Sequence, residues 1–341
     1  MRKVVLEGPR RLSIVEAPVP EPDIGEVLIQ VEATAICGTD RHIYTGGTPV
    51  NYPVVQGHEV TGVVREIGAG VNALRVGDSV VVDPNLTCGN CQRCILGKEN
   101  LCSNIDLMGR EVDGVLREYL TVPQNNAFKL PEGASFIEST LIQPLSTVVH
   151  AQQLADVKPT ESVVVLGAGA TGLMHIQICS LAGGHPLIAV GRSQWKLDLA
   201  LQMGADEAVS AREVDPVAEV LKLTDGQGAD VVVEAVGSPK TVQQALEMVK
   251  PGGRLIGFGI SPEPLPELNL YRMYLVEGRL IFPRATTRAA FHQTVELVAS
   301  GRLDLAPLIT HQLTLDDASE AFRVVEEKQS QVLRAVMTPA G

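Results

Sequence analysis

The sequence predicts an α/β protein in which a β-rich domain precedes a parallel sheet covered by helices on both faces. In the first 145 residues or so, short apolar runs are separated by Gly and Pro, which is typical of a barrel-like, all-β domain. From about Glu161, continuous Val/Ile/Leu runs alternate with helix-like segments, as in a doubly wound parallel sheet. The length of 341 residues also favours two domains over one.

The individual elements follow from the same patterns. Strands are predicted at Val4–Leu6, Val27–Thr34, Val60–Ile67 and Ser79–Val82 in the first part, and at Ser162–Leu166, Pro186–Val190, Ala229–Val236 and Arg254–Phe258 in the second. Helices are predicted at Thr171–Ala182, Ser193–Met203 and Arg288–Ala299, followed by a short β-like tail.

Composition excludes several classes of protein. The formal net charge of −12 disfavours a nucleic-acid partner, which requires a basic surface. The chain contains no apolar run of the ~20 residues that a membrane helix needs, and its N-terminus lacks the apolar stretch of a signal peptide. We therefore expect a cytoplasmic protein without a membrane partner. In that compartment the six cysteines are expected to be metal ligands or core thiols.

Four of the cysteines form a compact motif between residues 83 and 103. They are spaced C-x2-C-x2-C-x7-C, at Cys88, Cys91, Cys94 and Cys102. Tight turns can aim such thiolates at one ion, and four sulfur ligands leave no open position, so the motif predicts a structural zinc site. An iron–sulfur cluster is the alternative that this ligand set leaves open.

A second set of ligand types lies upstream. Cys37 stands in Cys37-Gly-Thr39-Asp-Arg-His42, and His58 and Glu59 follow Gly57. A thiolate, an imidazole and a carboxylate are ligands that zinc prefers, and three protein ligands leave a position for water or substrate. This pattern predicts a catalytic zinc site, with an ordinary core or surface role for Cys37 and His58 as the alternative. The neighbouring cysteine loop and the cofactor motif described below favour the zinc site.

A glycine-rich turn predicts a dinucleotide site. The strand Ser162–Leu166 runs into a helix through Gly167-Ala-Gly169-Ala-Thr171-Gly172-Leu173. In such a G-x-G-x-x-G turn the glycines allow the tight bend, the approach of the pyrophosphate and helix–strand packing, and the helix N-terminus faces the phosphates. Thr171 and Leu173, at the start of the helix, are assigned to the same site.

The end of the second strand of this sheet bears on which cofactor binds. Enzymes that use NAD usually carry an acid here for the ribose 2′-hydroxyl, but no Asp or Glu occurs between Gly172 and Asp198. The segment instead reads Gly191-Arg192-Ser193, which offers space, a cation and a hydroxyl to a 2′-phosphate. NADP(H) is therefore favoured over NAD(H). Lys196 is an additional candidate phosphate partner, and a solvated surface role for Arg192 is the alternative.

Together these motifs identify a resemblance that covers essentially the whole chain. The sequence resembles the zinc-dependent medium-chain dehydrogenases, and in particular their sorbitol (polyol) and threonine dehydrogenase branches, through Cys37-Gly-Thr-Asp, Gly57-His-Glu, the loop Cys88–Cys102 and Gly167–Gly172. The resemblance implies a GroES-like catalytic domain (1–145 and 285–341), a Rossmann domain (146–284) and an active site in the cleft between them. It also implies two zinc ions, hydride transfer between an alcohol or ketone and NAD(P), and a homo-oligomer, either a tetramer or a dimer.

The resemblance assigns roles to several residues. Thr39 would hydrogen-bond the substrate oxygen, His42 would end a proton relay to solvent, and Gly259 would line the nicotinamide half of the cofactor site. A surface role is the alternative for His42. Ordinary alcohol dehydrogenases carry a second cysteine ligand near Gln143, and polyol-type relatives carry a glutamate there. Gln143 is thus a candidate zinc ligand, with a hydrogen bond to backbone as the alternative.

The departure at Gln143 favours a secondary alcohol, polyol or sugar substrate over a primary alcohol, although the sequence does not identify which one. Two other functions share parts of the pattern. The zinc-free quinone or enone reductases have the same fold, and a non-catalytic dinucleotide-binding protein could keep the glycine-rich turn. Both metal motifs argue against the first alternative, and the presence of Cys37 and His58 beside intact cofactor glycines argues against the second.

Overall fold

The computed structural model describes residues 1–260, 264, 270–327 and 331–339. The chain divides into two compact units, which are Met1–Ser146 with Thr287–Gly341 and, separately, Thr147–Thr286. We call them the outer unit and the inserted unit, because the second interrupts the sequence of the first.

The secondary structure alternates in character between the two units. Within the described residues the strands are β1 (Arg2–Gly8), β2 (Arg11–Glu16), β3 (Glu26–Ile36), β4 (Val54–Val55), β5 (Glu59–Ile67), β6 (Ser79–Val82), β7 (Asn85–Leu86), β8 (Asp106–Leu107), β9 (Tyr119–Pro123), β10 (Ala127–Lys129), β11 (Val163–Leu166), β12 (Leu187–Gly191), β13 (Glu207–Ser210), β14 (Ala229–Glu234), β15 (Val249–Gly257), β16 (Arg279–Ile281), β17 (Ile309–Thr314) and β18 (Arg334–Thr338). The α-helices there are α1 (Gly38–Tyr44), α2 (Gln92–Ile95), α3 (Phe136–Ser139), α4 (Ile142–Ala155), α5 (Ala170–Leu181), α6 (Gln194–Gln202), α7 (Pro216–Leu223), α8 (Pro239–Met248), α9 (Leu270–Val276), α10 (Arg288–Ala299) and α11 (Ala318–Glu327).

The outer unit is built mainly from antiparallel sheet. One sheet has the order β2-β1-β4, and a larger one has the order β10-β6-β5-β3-β18-β17, with β9 also paired to β3. Most residues of β3 and the first four residues of β5 are buried, and Val27, Ile29, Val31, Val60 and Val64 belong to one apolar cluster. Burial of such side chains contributes about 1.5–3 kcal/mol each, which fixes the register of the strands.

This register brings three distant chain segments to one end of the larger sheet. Ala35 pairs with Glu59 across β3 and β5, and Ala335 of β18 pairs with Ile36 of β3. Cys37 directly follows β3, His58 directly precedes β5, and Arg334 begins β18. Residues separated by about three hundred positions in sequence are therefore neighbours, because the backbone ladder places them together.

The inserted unit is a six-stranded parallel sheet with helices between the strands. Its order is β13-β12-β11-β14-β15-β16, and all five pairings are parallel. The four residues of β11 are buried, as expected for a strand covered on both faces. Since β11 comes first in the chain and β14 fourth, the direction of the strand order reverses between them. In open parallel sheets, ligands bind at the carboxyl ends of the strands beside such a switch point.

The predicted architecture is confirmed: a β-rich part built mainly from antiparallel sheet is combined with a parallel α/β part. The strand predicted over Ala229–Val236 differs in its end, since β14 stops at Glu234. The backbone N–H groups of Val236 and Gly237 donate to the Glu234 carboxylate, not to a neighbouring strand. The side chain thus ends the strand where the apolar pattern alone predicts that it continues.

Candidate metal centres and cofactor turn

The four cysteines of residues 88–102 converge on one point. The Sγ–Sγ distances are 3.5 Å for Cys91–Cys94, 3.4 Å for Cys88–Cys102, 3.9 Å for Cys91–Cys102 and 4.0 Å for Cys88–Cys94. The loop folds this way because Cys91 caps the short helix α2, which carries Cys94, and a 3₁₀ turn over Glu99–Leu101 returns Cys102 to them.

These distances fit one tetrahedral ion. A Zn–S bond of about 2.3 Å places the sulfurs of a tetrahedron roughly 3.8 Å apart, whereas a disulfide would require about 2.05 Å. An iron–sulfur cluster places inorganic sulfur and several irons among the thiolates and would hold them farther apart, so the spacing favours a single ion. The backbone N–H of Cys94 is directed at the sulfur of Cys91 and lowers the pKa of the Cys91 thiol to about 6. The lower pKa favours the thiolate that metal binding needs.

A second cluster is formed by Cys37, His58 and Glu59. Their ligand atoms lie within 4.8 Å of one another, with His58 and Glu59 buried and Cys37 half-buried. The chain reaches this geometry through Gly57, whose φ of +89° is in the left-handed region that favours glycine. The set offers one sulfur, one nitrogen and one carboxylate, and this donor chemistry suits zinc with room for a further ligand.

Asp40, which sequence reasoning missed, organises two of these residues. It is fully buried in the first turn of α1, where one carboxylate oxygen accepts a hydrogen bond from the Cys37 backbone N–H at 2.8 Å. The other oxygen lies 3.1 Å from His58 Nδ1. This contact leaves Nε2 of His58 available as a metal ligand and orients the ring. The C-x-x-D spacing at the start of a helix was the sequence signal that could have revealed this residue.

Arg334 is the second residue that sequence reasoning missed. The residue is only 5% exposed, and its guanidinium donates from Nη1 to Glu59 Oε1 at 2.9 Å. Burial alone would lower the pKa of Arg334, but Glu59 and Cys37 outweigh it and raise the pKa above its ordinary value. For His58 burial likewise opposes protonation, and Asp40 with Cys37 raises its pKa well above the usual range in the metal-free chain. No local motif marks Arg334, because its partners lie in other strands.

The remaining predicted residues of the outer unit differ in how deeply they are buried. Thr39 is half-buried in the first turn of α1, and His42 is exposed on the same helix with its Nε2 3.4 Å from the Arg41 guanidinium. Gln143 is buried in the first turn of α4, and its backbone oxygen accepts a hydrogen bond from Ser146 at 2.6 Å. Direct zinc ligation by Gln143 stays a prediction.

The predicted cofactor turn joins β11 to α5. Gly167 has φ of +108°, and a Cβ on Gly172 would lie 1.7 Å from the Gly167 carbonyl oxygen, so the first and third glycines are required by the bend and by close packing. A Cβ on Gly169, which caps α5, would meet open space. Thr171 is half-buried, while the side chain of Leu173 is fully buried in the core.

The end of the second strand presents Arg192 to solvent. Arg192 is exposed and forms no ion pair with any residue that the structure describes, and Ser193 caps the N-terminus of α6. Lys196 lies in the first turn of α6, with its ammonium 5.2 Å from the centre of the Trp195 ring. Gly191 differs from expectation: the space beside it is filled by Leu197 and Ala168, so its small size serves packing at this strand end. Gly259 follows β15, and its Cβ position is filled by the backbone of Gly237.

Comparison with known proteins follows the same division of the chain. Residues 23–132 match the family described as alcohol dehydrogenase GroES-like domain, and residues 170–300 match the family described as zinc-binding dehydrogenase. The chain belongs to the zinc-type medium-chain dehydrogenases.

Characterised relatives support the assignment over nearly the full length. The chain is 36% identical to an L-threonine 3-dehydrogenase of Pyrococcus furiosus over 92% of this chain and 91% of the relative. It is 32% identical to a sorbitol dehydrogenase of Bacillus subtilis over 99% and 97%. A crystal structure of a putative zinc-binding dehydrogenase from Sinorhizobium meliloti bound to NADP superposes with a TM-score of 0.94, at 31% identity and 99% coverage of both chains.

The predicted family and enzyme class are thereby confirmed. The protein is an NAD(P)-dependent oxidoreductase acting on CH–OH groups of small-molecule alcohols. Among the described residues, no helix is both long enough and apolar enough to cross a lipid bilayer.

Proposed function

We propose that this enzyme interconverts a secondary alcohol or polyol and its ketone with NADP(H), and that it binds two zinc ions per chain. The proposal rests on the convergence of Cys37, His58 and Glu59, whose ligand atoms lie within 4.8 Å of one another. This cluster distinguishes the chain from a zinc-free reductase, which has no use for three converging ligand groups. The four-cysteine loop supplies a second, closed zinc site with a structural role.

The protein side chains then hold and orient the reacting groups. Zinc at the open site would supply Lewis acidity toward the alcohol oxygen, and the nicotinamide would accept the hydride. Asp40 fixes the His58 ring, and Arg334 holds one oxygen of Glu59. The other oxygen of Glu59 is buried and has no hydrogen-bond partner among the described residues, so it is available to a metal ion. Thr39 hydrogen-bonds the substrate oxygen, and His42, at the surface of α1, passes the proton to solvent.

The metal shell supports the substrate class. Gln143 stands where a cysteine or glutamate would add a negative charge, and the Arg334 cation offsets that of Glu59. A less anionic shell makes the metal a stronger Lewis acid toward a bound hydroxyl. The names of the relatives, threonine and sorbitol dehydrogenases, also indicate oxidation of a secondary hydroxyl.

A substrate screen combined with metal analysis tests this proposal. We expect oxidation of polyols, sugars, hydroxy amino acids or secondary alcohols, followed by nicotinamide absorbance, to exceed oxidation of ethanol, and elemental analysis to give two zinc ions per chain. Full activity after complete removal of zinc would contradict the metal assignment. Preference for ethanol would contradict the substrate class.

The cofactor preference is supported by the end of the second strand of the sheet. The exposed Arg192 offers a charge-assisted contact to a 2′-phosphate, worth about tenfold to a hundredfold in affinity. Arg212 adds a second cation at the carboxyl ends of the strands, because it follows β13, whose Ser210 pairs with Gly191 of β12. The absence of an acid removes the group that would repel the phosphate.

The ratio of kcat/KM for NADPH and NADH tests this preference. We expect Arg192→Ala to lower the ratio by about tenfold or more. Lys222→Ala is the matched control, because it also removes one positive charge. Lys222 lies in the last turn of α7, and the helices of a parallel sheet end at the edge opposite the carboxyl ends of the strands, away from the proposed cofactor site. A wild type that prefers NADH, or an equal effect of both variants, would contradict the 2′-phosphate assignment.

A homo-oligomer in the cytoplasm completes the proposal. All six cysteines are free, which suits a reducing compartment. Large apolar side chains are exposed near the edge strand β16, including Tyr274 at 78% and Phe282 at 64%, and a second copy of the chain could cover them. Light scattering should show a dimer or tetramer for the wild type and a smaller species for Phe282→Asp. A monomeric wild type would contradict this part.

A further inference from the structure

Glu234 is a buried carboxylate at the switch point of the parallel sheet. It ends β14 and pairs in register with Leu166, the residue before the first glycine of the cofactor turn. Its side chain is fully buried, although neither metal cluster includes it. A buried carboxylate is costly unless hydrogen-bond donors surround it, so its donors indicate what it stabilises.

Among the residues that the structure describes, the donors to the Glu234 side chain come from the loop that follows it and from the start of α8. Oε1 accepts hydrogen bonds from the Val236 N–H at 3.0 Å, the Gly237 N–H at 2.9 Å and the Thr241 hydroxyl at 2.7 Å. Thr241 is in the first turn of α8, and the Ser238 side chain caps that turn. One carboxylate therefore binds the end of β14, the loop and the start of α8 together.

The loop held in this way packs directly against the cofactor turn. A Cβ placed on Gly167 would lie 2.7 Å from Cγ2 of Val236. A Cβ on Gly259 would lie 2.1 Å from the Gly237 nitrogen and 2.7 Å from Glu234 Oε2. The turn, the loop and the segment after β15 are therefore in close contact, and a shift of residues 235–237 would change the surface beside the glycine-rich turn.

We propose that Glu234 is a positioning residue for the dinucleotide: it fixes residues 235–237 as the wall opposite the glycine-rich turn without touching the cofactor. The inference rests on the proposed cofactor site at this sheet edge. Because the role requires an acceptor oxygen, Gln at this position retains most of it and Ala loses it.

Equilibrium binding separates this role from a purely structural one. Fluorescence titration with NADPH and with NADH should show an affinity at least about tenfold weaker for Glu234→Ala than for wild type, and within about threefold of wild type for Glu234→Gln. The matched control is Asp230→Ala at the other end of β14, where Asp230 accepts hydrogen bonds from the Ser162 N–H and hydroxyl. It should lower the thermal midpoint as Glu234→Ala does, but leave both dissociation constants unchanged.

Three outcomes would contradict the positioning role of Glu234. Equal dissociation constants for wild type and Glu234→Ala, with a lowered thermal midpoint, would overturn the positioning role and leave the proposed function intact. An equal loss of affinity in Asp230→Ala would also overturn it, since the effect would then follow stability. A wild type that binds neither nucleotide would overturn the proposed function together with this inference.

Discussion

The four-cysteine loop and the Cys37 cluster use similar ligands but are assembled in different ways. All ligands of the loop come from one short segment, and its geometry depends on α2 and two turns. The Cys37 cluster draws on the ends of β3, β5 and β18, and Asp40 and Arg334 hold its members. We therefore expect the loop to depend on the proposed metal ion for its local fold, whereas the sheet around the Cys37 cluster fixes its members.

The largest effect is expected at Cys37. Cys37→Ser removes a metal ligand and should lower kcat by about 10³-fold or more, because Lewis acidity of several kcal/mol is lost. The sheet register holds the surrounding residues, so the circular dichroism spectrum and thermal midpoint should stay close to those of the wild type. A folded Cys37→Ser enzyme with ordinary turnover would show that the cluster is not catalytic.

Cys91→Ala should give the opposite pattern. With one of four ligands missing, the loop loses its ion, and we expect the thermal midpoint to fall by about 10 °C or more. Turnover per folded molecule should change by less than about twofold at low temperature. Scanning calorimetry with zinc analysis measures this, and an unchanged midpoint after loss of one zinc would contradict a structural role.

The same difference decides what the sequence could predict. The predicted strands, the helices α5, α6 and α10, the cysteine loop and the glycine turn depend on local spacing, and the structure has them close to the predicted places, whereas several short strands such as β4, β7 and β8 were not predicted. Asp40 also has a local signal, its spacing of three residues from Cys37 at the start of α1, but it is not one of the three predicted metal ligands. Arg334 is paired with a residue that is distant in sequence, which no local pattern encodes. The end of β14 depends on the Glu234 side chain accepting hydrogen bonds from the backbone that follows it, which the apolar pattern does not show.

A variant that breaks the ion pair of Arg334 with Glu59 tests how far the sheet alone holds the Cys37 cluster in place. Arg334→Met leaves a buried carboxylate without its partner and should lower the free energy of unfolding by about 3–5 kcal/mol. Glu59 is then free to bind the metal with both oxygens, so zinc should dissociate more slowly in the presence of a chelator. The double variant Arg334→Met/Glu59→Gln should recover most of the stability, as denaturant unfolding would show. Additive losses in the double variant would mean that the ion pair contributes nothing.

The smallest effect is expected at His175, a buried histidine of α5. In contrast to His58, it has no carboxylate beside it among the residues that the structure describes. Its Nδ1 lies 2.7 Å from Gln152 Nε2, its ring packs edge-on against Phe258, and burial lowers its pKa to about 3. The unfolded chain, with an ordinary value near 6.5, takes up a proton first as the pH falls, so the stability present above pH 6.5 is lost on the way toward pH 3. Between pH 8 and pH 5 the free energy of unfolding falls by about 2 kcal/mol through this histidine.

Denaturant unfolding of wild type and His175→Leu at both pH values isolates the contribution, because all other titrating groups are common to the two proteins. The variant should be less stable at pH 8, owing to lost packing, but should lose about 2 kcal/mol less on acidification. An identical pH dependence would show that His175 gains a proton in the folded protein as readily as in the unfolded chain, so burial without a charged partner would not separate it from His58.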